Sequence, residues 1–121
     1  MATKQRTTKS ADEVTLDVLA YEFALDDPAE AERKIRRRLR YHGVGPYRQE
    51  RVSVLRRLKD QVQREIQHGG RYFVGSHGEY AAMEDVDVER MIQDLAESYP
   101  EVPREEIARF VPFAVYLYHL R

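Results

Sequence analysis

The chain has 121 residues, and its 20 Lys and Arg against 21 Asp and Glu leave a formal net charge of −1, with four His and no Cys or Trp. A chain of this size buries roughly two-thirds of its unfolded surface on folding, so one core is feasible without disulfides or a structural metal. The missing cysteines exclude thiolate metal sites and a cysteine nucleophile. With no apolar run near the roughly 20 residues of a membrane span and no secretion-signal core, they point to a soluble, cytoplasmic protein with no membrane partner.

Residues 1–10 are polar and carry Lys4, Arg6 and Lys9, which predicts a disordered basic tail. A single helical domain is expected over 11–121, made of helices and a hairpin over 11–83 and a C-terminal helical segment over 84–121. Ser10 or Asp12 suits the first N-cap. From Glu13 to Leu25 apolar residues fall on two faces, Val14, Val18, Tyr21 and Leu25 on one and Leu16, Leu19 and Phe23 on the other. Such a helix is central to a fold or shared between subunits. Residues 12–32 hold eight acids and no Lys or Arg.

Asp27-Pro28 is an N-cap followed by a proline suited to the first helical position, and predicts a second helix to about His42. Its apolar stripe is narrow, Ala31, Ile35 and Leu39 at a spacing of four, with Arg33, Arg36, Arg37 and Arg40 on the other side. Gly43 suits a left-handed C-cap and Pro46 the start of a third helix running to about Gln67, with Val52, Leu55, Leu58, Val62 and Ile66 as its buried stripe. Residues 33–65 hold twelve bases against three acids, a net charge of +9 that the acidic stretches on either side conceal.

Gly69-Gly70 ends that helix. Arg71–Val74, a Gly75–Gly78 turn and Glu79–Met83 predict a short β-hairpin. Asp85 or Asp87 caps a fourth helix bearing Val88, Ile92 and Leu95, and a fifth starts near Pro103. Pro112 inside it predicts a kink or break near Val111. Residues 111–120 are apolar almost all round, which suits core insertion or a dimer interface. The expected fold is mainly α: five helices and one hairpin after the third, with a winged-helix-like order.

Chemistry is sparse. The four His make no i, i+4 pair, and His77 in a glycine-rich turn reads as a loop residue; Asp85, Asp87 and Glu89 read as capping acids. No catalytic residue, metal or cofactor is implied. Gly43-Val44-Gly45, ahead of Tyr47 and Arg48, suggests a phosphate site at a helix N-terminus.

The basic block carries the functional content. Ten of its twelve bases are Arg, which favours bidentate phosphate or guanine contacts. Arg33, Arg36, Arg37 and Arg40 are the leading candidates for phosphate contact, followed by Arg48, Arg51, Arg56 and Arg57. Tyr41 and Tyr47 flank the glycine turn and suit stacking on unpaired bases. The expectation is a non-enzymatic nucleic-acid-binding protein. Against it, the chain as a whole is not basic and the hairpin tip lacks Lys and Arg. The alternative is an interaction, inhibitor or assembly subunit: it oligomerises through its first and last helices, as a homodimer for instance, or docks its basic helices on an acidic protein surface.

Overall fold

The structure is a computed structural model that describes residues 9–74 and 80–120. Five α-helices follow in order: α1 Ala11–Ala20, α2 Pro28–His42, α3 Gln49–Gln67, α4 Val88–Ser98 and α5 Arg104–Val115. The chain divides into two compact units, Met1–Arg56 and Arg57–Arg121, and α3 contributes to both.

In the first unit, α1 starts where Ser10 accepts a hydrogen bond from the Glu13 amide, 3.0 Å away. Lys9 pairs with Asp17 at 2.8 Å, so Lys9 and Ser10 take part in this unit, while residues 1–8 of the expected tail lie outside the described residues. α1 stops at Ala20, earlier than the predicted Leu25, and a 3-10 turn follows at Glu22–Ala24. Val14, Leu16, Val18 and Leu19 are buried, whereas Tyr21 and Phe23, past the helix end, are exposed.

α2 packs against α1. The Asp27 carboxylate accepts from the Ala29 amide at 3.0 Å, and Pro28 fills the first turn, where its missing N–H costs nothing. Ala31, Ile35 and Leu39 are buried as their spacing predicts. Gly43 ends the helix in the left-handed region at φ 64°. Its amide bonds to the Arg40 carbonyl, and the Val44 amide reaches back to Leu39 at 3.2 Å. This paired closure satisfies the Leu39 and Arg40 carbonyls, two of the last four of α2. α3 begins at Gln49, three residues after the expected Pro46.

In the second unit, Leu58, Val62 and Ile66 of α3 are buried, as are Met91, Ile92 and Leu95 of α4 and Ile107, Phe110, Val111, Ala114 and Val115 of α5. The Asp87 carboxylate caps α4. α5 runs unbroken through Pro112, contrary to the predicted break, and passes into a π turn over Tyr116–Leu120. The lost hydrogen bond to Ala108 is outweighed by apolar burial on both sides of the proline.

The predicted hairpin does not form: the described residues contain no strand, and the Gly75–Gly78 turn and Glu79 lie outside them. Instead a single antiparallel bridge joins Phe73 to Val86, with the Val74 amide on the Asp85 carbonyl at 2.9 Å and the Asp87 amide on Tyr72 at 2.7 Å. The cause lies in what each segment can bury. Tyr80 and Ala81 are exposed, so the alternation read there has no buried face, whereas Tyr72 and Val86 both go inward. Residues Met83–Asp85 form a 3-10 turn, held by the Asp85 carboxylate, which accepts from the Ala82 amide at 2.9 Å and lies 3.0 Å from His119 Nε2. Helix, turn, helix and hairpin, the order that suggested a winged helix, is therefore replaced by a mainly α chain. No helix among the described residues is long and apolar enough to cross a membrane.

Two measurements check this account. Ile35→Ala removes the central contact of α2 and should cost about 2–5 kcal/mol in urea denaturation. Burial of Tyr72, and next its hydrogen bond to Asp94 at 2.8 Å, push its phenol up to about 12. The folded pKa is raised, so its contribution to stability is complete below pH 10 and should be lost as pH rises towards 12. Tyr72→Phe should flatten that alkaline loss, read as the denaturation midpoint against pH.

Candidate nucleic-acid interface

Residues 33–40 of α2 carry six cations on a helix with one narrow buried stripe. At about 100° per residue, Arg33, Arg37 and Arg40 fall opposite Ile35 and Leu39. They form a ridge along the outer face, all three exposed. Among the described residues none of them, nor Arg38, has a carboxylate within ion-pair distance. Arg36 lies on one flank of the ridge, and Tyr41, Lys34 and Arg38 on the other. A length of about 10 Å from Arg33 to Arg40, at 1.5 Å per residue, matches about three phosphates of a strand.

The predicted site residues separate into structural and free groups. Arg51 of α3 holds the Asp12 carboxylate through two bonds, Nε to Oδ1 at 3.0 Å and Nη2 to Oδ2 at 2.6 Å. Arg56 holds Glu22 in the same manner, with Nη2 to Oε2 at 2.7 Å. Both pairs are partly buried and tie α3 to the acidic segment of the first unit. These two guanidiniums are engaged within the fold, and the acidic block is their partner. Arg48 is exposed, just before α3, with its Nε 3.7 Å from Glu50. Arg57 is exposed and belongs to the second unit. Of the four arginines of the third helix, Arg51 and Arg56 are thus engaged by carboxylates and Arg57 and Arg64 are exposed.

Arg36 has a different role. Its Nε and Nη2 both reach Glu32 Oε2 at 2.8 Å, and its guanidinium lies 4.2 Å from the Tyr47 ring centroid. Carboxylate and ring together fix the plane of the group. Tyr47 Oη donates to Gln49 at 3.1 Å. Burial raises the Tyr47 phenol above its ordinary value; Glu32 adds to the rise while Arg56 and Arg36 oppose it. Arg36, Leu39, Arg40, Gly43, Gly45 and Tyr47 line an open depression of about 550 Å³, with Pro46 at its edge. No carboxylate lines it. Gly43 and Gly45 both have positive φ, and nothing stands within 4 Å of where a Cβ would be, so the backbone there is open to close approach.

The phosphate site foreseen at Gly43–Gly45 is changed in kind. The Gly43 and Val44 amides are spent on α2 carbonyls and the third helix starts only at Gln49, so these two amides are not the open donors foreseen. What stands there is a pair of guanidiniums beside an aromatic ring. On the other flank, Lys34, Arg38 and Tyr21 line a second depression of about 280 Å³ that also contains Asp17. Lys34 and Arg38 were not among the expected site residues, although both belong to the charge run from Arg33 to Arg40. Elsewhere, among the described residues, no group of three His, Cys, Asp or Glu stands together to hold a metal ion. His77 lies outside the described residues.

Comparison with protein families, with curated proteins and with solved structures gives no match for this chain.

The division between structural and free arginines has a measurable consequence. Arg51→Ala leaves Asp12 partly buried without its bidentate partner and should cost about 1.5–3 kcal/mol in urea denaturation. Arg37→Ala, on the exposed ridge, should stay within about 0.5 kcal/mol of the parent.

Proposed function

We propose that this chain is a non-enzymatic nucleic-acid-binding protein that contacts the phosphate backbone with the outer face of α2. The observation that carries this reading is the ridge of Arg33, Arg37 and Arg40, exposed and, among the described residues, without carboxylate partners, while Asp12, Glu22 and Asp17 of the same unit are committed to Arg51, Arg56 and Lys9. Like charges set three and four residues apart on a helix destabilise it slightly, so a polyanion that neutralises them relieves a repulsion as well as adding contacts. Arg36 and Arg40 extend the basic surface into the glycine-lined depression.

Of the apolar residues that suggested an oligomer, Val14, Leu16, Val18 and Leu19 of α1 and Leu117 near the C-terminus are buried, while Tyr21, Phe23 and Tyr116 are exposed. An acidic protein surface is the competing partner for the same ridge, and salt dependence with nucleic acid separates the two.

Reversing Arg33, Arg37 and Arg40 to Glu should abolish binding of a fluorescent oligonucleotide at low salt and leave helical circular dichroism unchanged. Neutralising the same three with Gln should reduce the slope of log K against log salt by about 2 to 3, the release expected for three phosphate contacts. Binding that survives the Glu variant would rule out this face.

A further inference from the structure

We infer that the ligand is a single strand, with an unpaired base stacked on Tyr41 and the adjoining nucleotide held in the depression between Arg36, Arg40 and Tyr47. The inference rests on the nucleic-acid reading above and adds the class of nucleic acid.

Tyr41 sits in the last turn of α2 and is 83 % exposed. His42 meets the ring edge-on at 5.0 Å, and most of the ring surface faces water. A large aromatic side chain left this open forgoes the burial that normally repays it, and the position is set by the arginines around it. Arg37 precedes it by four residues and Arg38 by three, so both guanidiniums are its neighbours on the helix surface. The ring flanks the ridge on the side opposite Arg36.

A strand lying across α2 thus meets three features in order: an open aromatic face at Tyr41, the exposed guanidiniums of Arg37 and Arg40, and the 550 Å³ depression with its fixed Arg36 and open glycine backbone. The path is about 10 Å wide, the diameter of a helix with its side chains. An aromatic face beside phosphate-binding arginines is the arrangement that holds unpaired nucleotides, because every base has a π-face and in a duplex that face is already stacked. Two of the last four carbonyls of α2, those of Leu39 and Arg40, are taken up by the Val44 and Gly43 amides, which lessens their repulsion of an anion in the depression. Nothing in the arrangement distinguishes ribose from deoxyribose, so RNA and DNA single strands share the site.

The test is fluorescence anisotropy at low salt with labelled oligo-dT and oligo-U of about 12 nucleotides and a duplex of equal length. Either single strand should bind more tightly than the duplex. Tyr41→Ala should weaken single-strand binding about five- to a hundredfold and leave duplex binding unchanged, while Tyr41→Phe, which keeps the ring, should bind like the parent. Equal affinity for duplex and single strands, or a Tyr41→Ala variant with parental affinity, overturns the inference and leaves phosphate binding by the ridge standing. No binding of any oligonucleotide overturns both.

Discussion

The spacing of three small and branched apolar residues on α2 governs the arrangement of this chain's charge. Ala31, Ile35 and Leu39 recur every fourth residue, so α2 has one narrow buried face and seats it against α1. Everything between them must point elsewhere. The sequence fills those positions with five cations and Glu32, a sixth cation, Arg40, follows Leu39, and the helix carries them away from the buried stripe. Burial and charge display are thus one constraint, since a wider apolar stripe would have displaced the arginines.

That constraint also explains how a chain of net charge −1 keeps a strongly basic surface. Partners are assigned selectively: Asp12 and Glu22 are drawn into bidentate pairs with Arg51 and Arg56, where partial burial strengthens the interaction and fixes α3 against the acidic segment. Asp17 takes Lys9, and Glu32 takes Arg36. The ridge on α2 is what this pairing leaves over. Net charge alone hides such a surface, because acids that hold the fold together offset bases that face solvent.

Much of the helical framework was legible because caps and apolar periods act locally. Asp27, Pro28 and Gly43 bracket α2 where the sequence places them, and the stripe from Val52 to Ile66 on α3 is buried residue for residue. The failures share a cause, namely competition from partners distant in sequence. The hairpin read from Arg71 to Met83 gave way because Val86, not Tyr80, had a buried place opposite Tyr72 and Phe73. Pro112 did not break α5 because residues on both sides of it are anchored in apolar contacts. Within the basic block, composition marks the arginines but cannot sort them. Arg51 and Arg56 differ from Arg37 and Arg40 only through acids 34 and 39 residues away.

On this proposal Arg33, Arg37 and Arg40 of α2 take a polyanion while Arg51 and Arg56 of α3 stay committed to the fold. Side-chain Nε–Hε resonances of arginine, followed by NMR during titration with a single-stranded oligonucleotide, read both groups at once. The account predicts that Arg33, Arg37 and Arg40 shift progressively with added strand while Arg51 and Arg56 stay fixed at their folded positions. Shifts confined to Arg51 and Arg56, or an unresponsive ridge in the presence of bound strand, would contradict it.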